Sequence, residues 1–91
     1  MKIIEQDFKR ISKKINLEIP ILKALVRLEG ITDLDIFVEL INMLVENNWI
    51  RFLQMKDWTK FAEYFVGRLY IHNHYDIKLA TTYQLYKTQT V

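Results

Sequence analysis

Turn-forming residues are scarce in this chain, and their scarcity limits what it can fold into. The 91 residues include only two glycines, Gly30 and Gly67, and one proline, Pro20. So few turn residues favour helices joined by short links. The 51% hydrophobic content can fill one small core, as expected for a chain of this length. The sequence therefore predicts a single all-α domain over residues 1–91.

Apolar residues recur at helical spacing along most of the chain and predict a small bundle of five to six helices. Pro20 fits the first turn of the second helix, and Gly30 closes that helix. Thr32 is the expected N-cap of the third helix, whose broad apolar surface predicts a central position. Asp57 is expected to cap the fifth helix, which Gly67 ends. The predicted helical segments are 7–14, 20–29, 34–45, 49–55, 58–66 and 75–87.

The last segment carries two patterns at once. Apolar side chains alternate from Ile77 to Leu85 as in a strand, while Tyr75, Leu79 and Tyr83 repeat as in a helix. No second strand is evident elsewhere, and a lone strand would leave its backbone groups unpaired. A helix is therefore predicted.

Several function classes are disfavoured by composition. There is no cysteine, and two histidines, His72 and His74, are too few for a zinc site, so no metal or other cofactor is expected. A net charge of +2 gives little attraction for nucleic acid. No apolar run is long enough to span a membrane, and the first ten residues lack a signal-peptide core. A cytoplasmic protein is expected at synthesis.

The segment 56–83 carries the most specific pattern, KDWTKFAEYFVGRLYIHNHYDIKLATTY. It combines a Lys-Asp-Trp helix start and Gly67 with Tyr70, Asn73 and Tyr75 at fixed offsets. This pattern resembles the end of the N-acetylmuramidase domain of bacterial and phage peptidoglycan hydrolases, KDWxxFAxxYNGPxYxxNxYDxKLxxAY. The resemblance implies a lysozyme-like fold and a peptidoglycan substrate, as in an endolysin. Access to the cell wall would then require release of the phage type.

The N-terminal part resembles the helix pair that opens the same family, DFxxxAxxLxVxxxxIxAVxxVESG. Asp7-Phe8 stands at its start, and Glu29-Gly30 falls at the family's Glu-Ser-Gly turn. The family's glutamate is the general acid of glycoside cleavage, so the resemblance implies that role for Glu29. The alternative without a catalytic role is an ordinary solvated glutamate at a helix end.

The resemblance also implies a glycan-binding remnant, for which the candidate residues are Tyr64, Gly67, Tyr70 and Asn73. A structural alternative makes the tyrosines core anchors and Asn73 the cap of the last helix.

The middle of the family's domain is missing, because only Ile31 separates Gly30 from Thr32. No Ser-x-Gly-x-x-Gln or Glu-Arg-His pattern occurs, and Val66 stands where the family has asparagine. A second carboxylate would have to come from Asp33, Asp35 or Glu39. The domain is therefore expected to be a shortened muramidase scaffold with weak or lost glycosidase activity.

Two other functions remain open. One is a non-catalytic cell-wall-binding or regulatory protein on the same scaffold. Its uncovered apolar helix faces, such as that of residues 34–45, would be buried in a homo-oligomer or by a protein partner. The other is a helix-turn-helix DNA-binding protein, with Lys23 and Arg27 on the second helix and an exposed face that includes Ile19 and Ile21.

Overall fold

The computed structural model describes residues 1–89 and contains seven helices over that range. They are α1 (Glu5–Ile15), α2 (Ile19–Glu29), α3 (Leu34–Glu46), α4 (Ile50–Gln54), α5 (Trp58–Phe65), α6 (Tyr70–Asn73) and α7 (Tyr75–Thr88). Within residues 1–89 the β-structure is limited to an isolated bridge between Lys2 and Asp33. The all-α prediction is confirmed, with the short α6 making the count seven rather than five or six.

The predicted boundaries of α2 agree with the structure. Pro20 occupies the first turn, where no helical hydrogen bond needs its missing N–H. Gly30 ends the helix in the left-handed region at φ 64°, and its N–H bonds to the carbonyl oxygens of Val26 and Arg27.

The start of α3 corrects the sequence prediction. Asp33, not Thr32, is the N-cap, and one of its oxygens accepts from the N–H groups of Asp35 at 2.8 Å and Ile36 at 3.4 Å. A carboxylate at this position also interacts favourably with the positive end of the helix. Asp57 caps α5 as predicted, accepting from the N–H of Lys60 at 3.1 Å.

The most extensive helix–helix contact joins α2 and α7, and α3 takes part in no comparably extensive contact within residues 1–89, so the prediction that α3 lies centrally is wrong. One side of α3 is buried, but Ile36 and Val45 are each about half exposed. The largest fully buried side chains are Tyr83, Phe37, Phe61, Ile21, Leu22, Leu25, Leu44, Leu53 and Leu79.

Helix α7 resolves the ambiguity of the last segment, because Tyr75, Leu79 and Tyr83 are all buried on one helical face. The Tyr83 hydroxyl donates to Glu18 at 2.8 Å, and Lys56 forms an ion pair with the same carboxylate at 2.6 Å. Glu18, at the N-cap position of α2, therefore ties the N-terminal end of that helix to α7.

Helix α1 is fixed by a buried carboxylate. Asp7 is 6% exposed, accepts from the Ile4 N–H at 2.9 Å and pairs with Arg10 at 3.2 Å. The Phe8 ring lies 5.6 Å from the Phe37 ring of α3. These contacts place α1 beside both α2 and α3.

Candidate functional site

Glu29 is the last residue of α2, and its side chain is exposed. A carboxylate is disfavoured there, because the C-terminal end of a helix carries partial negative charge. A hydrogen bond compensates for this location: the Tyr75 hydroxyl donates to Oε2 of Glu29 at 2.8 Å. Glu29 is thus held at the molecular surface by a residue that lies 46 positions further along the chain.

Tyr75 lies at the start of α7 with its ring inside the core, 7% exposed. Its ring packs 5.9 Å from that of Phe65, which in turn stacks on Phe61 at 5.0 Å. Burial, and secondarily the hydrogen bond to the Glu29 carboxylate, raises the pKa of Tyr75 well above its ordinary value. The phenol therefore remains a hydrogen-bond donor to Glu29 at neutral pH.

Asn73 contacts the backbone of Tyr75. Its side-chain oxygen accepts from the Tyr75 N–H at 3.1 Å and so satisfies the first N–H of α7, although the N-cap position itself is occupied by His74. His74, between α6 and α7, adopts a left-handed conformation with φ 55°. Glu29 and Asn73 are therefore bonded to opposite ends of the same residue, Tyr75.

Gly67 shapes the loop that leads into this site. It has φ 92°, a conformation that residues with a side chain rarely adopt, and its carbonyl accepts from the Tyr70 N–H at 3.0 Å. Tyr70 is half-buried against the core. The structure thus brings Glu29, Tyr75 and Asn73 together, with Gly67 in the preceding loop and Tyr70 at the start of α6.

Tyr64 belongs to a different surface. Its ring stacks on Phe52 with centroids 5.3 Å apart and an interplanar angle of 11°, and lies 6.3 Å from Trp49. These neighbours are on and beside α4, whereas its chain neighbour Phe65 faces Tyr75. The expected grouping of Tyr64 with the other candidate residues is not observed, because adjacent helical residues point about 100° apart.

Among residues 1–89, the Glu29 carboxylate bonds to the Tyr75 hydroxyl, and no second carboxylate is linked to it. Asp33 caps α3 and pairs with the Met1 ammonium at 2.8 Å. Asp35 and Glu39 are exposed on α3. Within residues 1–89, no three His, Asp or Glu side chains lie close enough to hold a metal ion. The exposed His72 and His74 accordingly have no further ligand there.

No local sequence pattern indicates the partners of Glu29 and Glu18. The tyrosines at 75 and 83 form a helical repeat in the sequence, and the repeat predicts burial without revealing where the hydroxyls point.

A surface groove of about 410 Å³ adjoins Gly30 and is lined by Phe8, Lys23, Arg27 and Tyr86 among others, but not by Glu29. No helix within residues 1–89 has the length and apolar character of a membrane span.

A family model for N-acetylmuramidase matches residues 21–87, the range from α2 into α7. No curated protein and no solved structure matches the chain. The match includes Glu29, Gly67 and Tyr75 and confirms the resemblance seen in the sequence. The chain belongs to the N-acetylmuramidase family.

Proposed function

We propose that this protein binds the glycan strands of peptidoglycan at the surface formed by Glu29, Tyr75 and the segment from Gly67 to Asn73, and that it cleaves them weakly or not at all. The observation that carries the proposal is the 2.8 Å hydrogen bond between Tyr75 and Glu29, both inside the range matched by the family.

The position of Glu29 supports a role in binding. The residue lies at the unfavourable end of a helix dipole and remains exposed. Its Oε1 accepts no hydrogen bond from residues 1–89, while Oε2 is oriented by Tyr75. A fixed carboxylate with one free oxygen can accept a hydrogen bond from a sugar hydroxyl or amide.

The surroundings of Glu29 support weak or lost cleavage. A general acid of a glycosidase works in a site that limits water and has a second carboxylate on the other side of the sugar. Glu29 is exposed, and Asp33 is already used as a helix cap. Val66 also offers no amide where the family has asparagine. These features leave few groups to position a glycosidic bond for cleavage.

Purified peptidoglycan sacculi provide the test, read out as co-sedimentation and as loss of turbidity. We expect the wild-type protein to sediment with sacculi and to clear them slowly or not at all. Glu29→Gln keeps the size of the side chain and an acceptor for Tyr75, so it tests the charge with little change in fold. We expect it to weaken co-sedimentation and to remove any clearing.

The matched control is Glu63→Gln on α5, which should sediment like the wild type. Absence of wild-type co-sedimentation would overturn the proposal. Rapid clearing that depends on Glu29 would overturn the part that concerns weak activity.

The helix-turn-helix alternative has no support in the packing. Helix α2, which would enter the DNA groove, buries Ile21, Leu22 and Leu25 and packs closely on α7. Lys23 pairs with Glu5 at 3.0 Å instead of extending outward. A recognition helix needs an exposed face that reaches base edges, and the exposed residues of α2 are limited to Arg27 and Glu29.

A further inference from the structure

A groove of about 330 Å³ lies between α1 and α3. Its apolar lining comes from Ile11 and Ile15 of α1 and from Val38, Ile41 and Val45 of α3. Val38 is 37% exposed and Val45 51% exposed, although both lie beside buried residues of the same helices. This is apolar surface that another molecule can cover.

One side of the groove is basic. Arg10 and Lys14 of α1 line it, and no carboxylate does. A second groove of about 310 Å³ shares Lys14, Ile15 and Val45 with the first and adds Arg51. Lys14 is exposed and forms no ion pair with residues 1–89.

The other side is acidic. Asp35, Glu39 and Glu46 are exposed and follow one line along α3 at helical spacing, with Asn42 completing the line and reaching the groove. None of the three carboxylates forms an ion pair with residues 1–89. Across the surface the order is therefore basic on α1, apolar in the groove and acidic on the outer side of α3.

We propose that the occupant of this groove is a second copy of the chain, related by a two-fold axis that runs along α3. Such an axis exchanges the two sides of the surface, so each acidic line faces the basic side of the other copy while the apolar strips meet between them. A two-fold axis across α3 would instead place acidic lines against each other. The order of charges across the surface therefore favours a dimer in which the two α3 helices run parallel.

The size of the surface sets the expected strength of this dimer. Helix α3 has 13 residues, about 20 Å at the usual rise. A contact of that length buries less surface area than a standard stable interface. We expect a dissociation constant in the micromolar range, roughly 1 to 100 µM.

Sedimentation velocity over about 1 µM to 1 mM protein covers that range. Val45→Glu places a charge in the groove, and we expect it to weaken association at least tenfold. Lys14 lies at the level of Val45, so an axis along α3 places it opposite Glu46 of the other copy. Lys14→Glu and Glu46→Lys therefore each place like charges together twice in a symmetric dimer and should have a similar effect. Mixing these two variants should restore association, because each contact again joins opposite charges. Lys60→Glu and Glu63→Lys on α5 are the charge-matched controls and should associate like the wild type.

Circular dichroism melting of every variant separates loss of association from loss of folding. A wild-type protein that stays monomeric throughout the range would overturn the proposal. A dimer unaffected by Val45→Glu and Lys14→Glu would place the interface elsewhere. If both charge variants lose association and mixing them does not restore it, the parallel arrangement is wrong. None of these measurements involves the cell wall, so their outcome is independent of the proposed function.

Discussion

Tyr75 has a buried ring and one hydroxyl that reaches the exposed Glu29. Tyr75→Phe removes that hydrogen bond and leaves the ring packing with Phe65. A hydrogen bond to a charged but solvent-accessible acceptor contributes about 1 to 2 kcal/mol. We expect the free energy of unfolding to fall by that amount in urea titration.

Tyr64→Phe is the matched control, because the Tyr64 hydroxyl bonds to no residue between 1 and 89 and the residue is 51% exposed. Its effect should stay within about 0.5 kcal/mol. A double-mutant cycle with Glu29→Ala isolates the pair. Equal effects of Tyr75→Phe in the presence and absence of Glu29 would contradict this prediction.

Glu18 gives the molecule an acid-sensitive contact. The Lys56 ammonium, with a further contribution from the Tyr83 hydroxyl, lowers the pKa of the Glu18 carboxyl below its ordinary value of 4.5. A group with a lowered pKa stabilises the folded state fully above its unfolded pKa, and this contribution is lost as pH falls through the folded pKa. We expect the urea midpoint to decrease below about pH 4.5.

Glu18→Gln should reduce this decrease, because glutamine does not titrate and binds Lys56 weakly. Glu63→Gln on α5 should retain the pH dependence of the wild type. If the urea midpoint falls equally with decreasing pH in Glu18→Gln and in Glu63→Gln, the Glu18 contact is not the cause of the acid sensitivity.

Helices α2 and α7 share the most extensive contact in the fold, and Leu79 lies fully buried on α7. Truncating a buried leucine to alanine costs about 2 to 5 kcal/mol, a large share of the stability of so small a domain. We expect Leu79→Ala to leave the protein largely unfolded at 37 °C. Leu85→Ala, on the same helix with Leu85 43% exposed, should cost less than about 1 kcal/mol. Thermal melting followed at 222 nm compares the two, and similar melting temperatures would contradict the assignment of Leu79 to the core.

At the scale of the whole molecule, α1 lies outside the range matched by the family but belongs to the same core. It supplies the buried Ile11, and Leu17 after it is also buried. A chain that begins at Ile19 would expose the apolar surface of α2 beneath them. We expect that chain to lack a cooperative thermal transition, whereas the full chain has one. A cooperative transition of unchanged midpoint in the shortened chain would show that α1 is dispensable.

Much of this fold could be predicted from local sequence signals. Pro20, Gly30 and Asp57 act through their own backbone or their nearest neighbours, so their roles are readable from the chain. The N-cap of α3 was predicted one position too early, at Thr32 instead of Asp33, since both residue types are good caps. The position of α3 was mispredicted because apolar content does not say which helices lie closest together.

The candidate site was predicted only in part. Family resemblance was enough to select Glu29 and the loop after Gly67, which lie within the matched range. The bonds of Tyr75 to Glu29 and Tyr83 to Glu18 join residues 46 and 65 positions apart, and such pairings depend on how α2 meets α7. Tyr64 was grouped with the site from its place in the sequence, although its helical position turns it toward Phe52.

The two tyrosines of α7 bind the two ends of α2, and this has a consequence for any glycan that reaches Glu29. A sugar that draws the Glu29 carboxylate away from Tyr75 competes with one of the two bonds that set the alignment of the central helices. Glycan capture and scaffold integrity then depend on the same hydroxyl. A ligand that uses the free Oε1 of Glu29 keeps both tyrosine bonds, whereas one that displaces the tyrosine gives up part of its binding energy to break one of them. Either ligand stabilises the folded state according to its affinity, so a glycan fragment that uses Oε1 should raise the melting temperature more than one that takes Oε2.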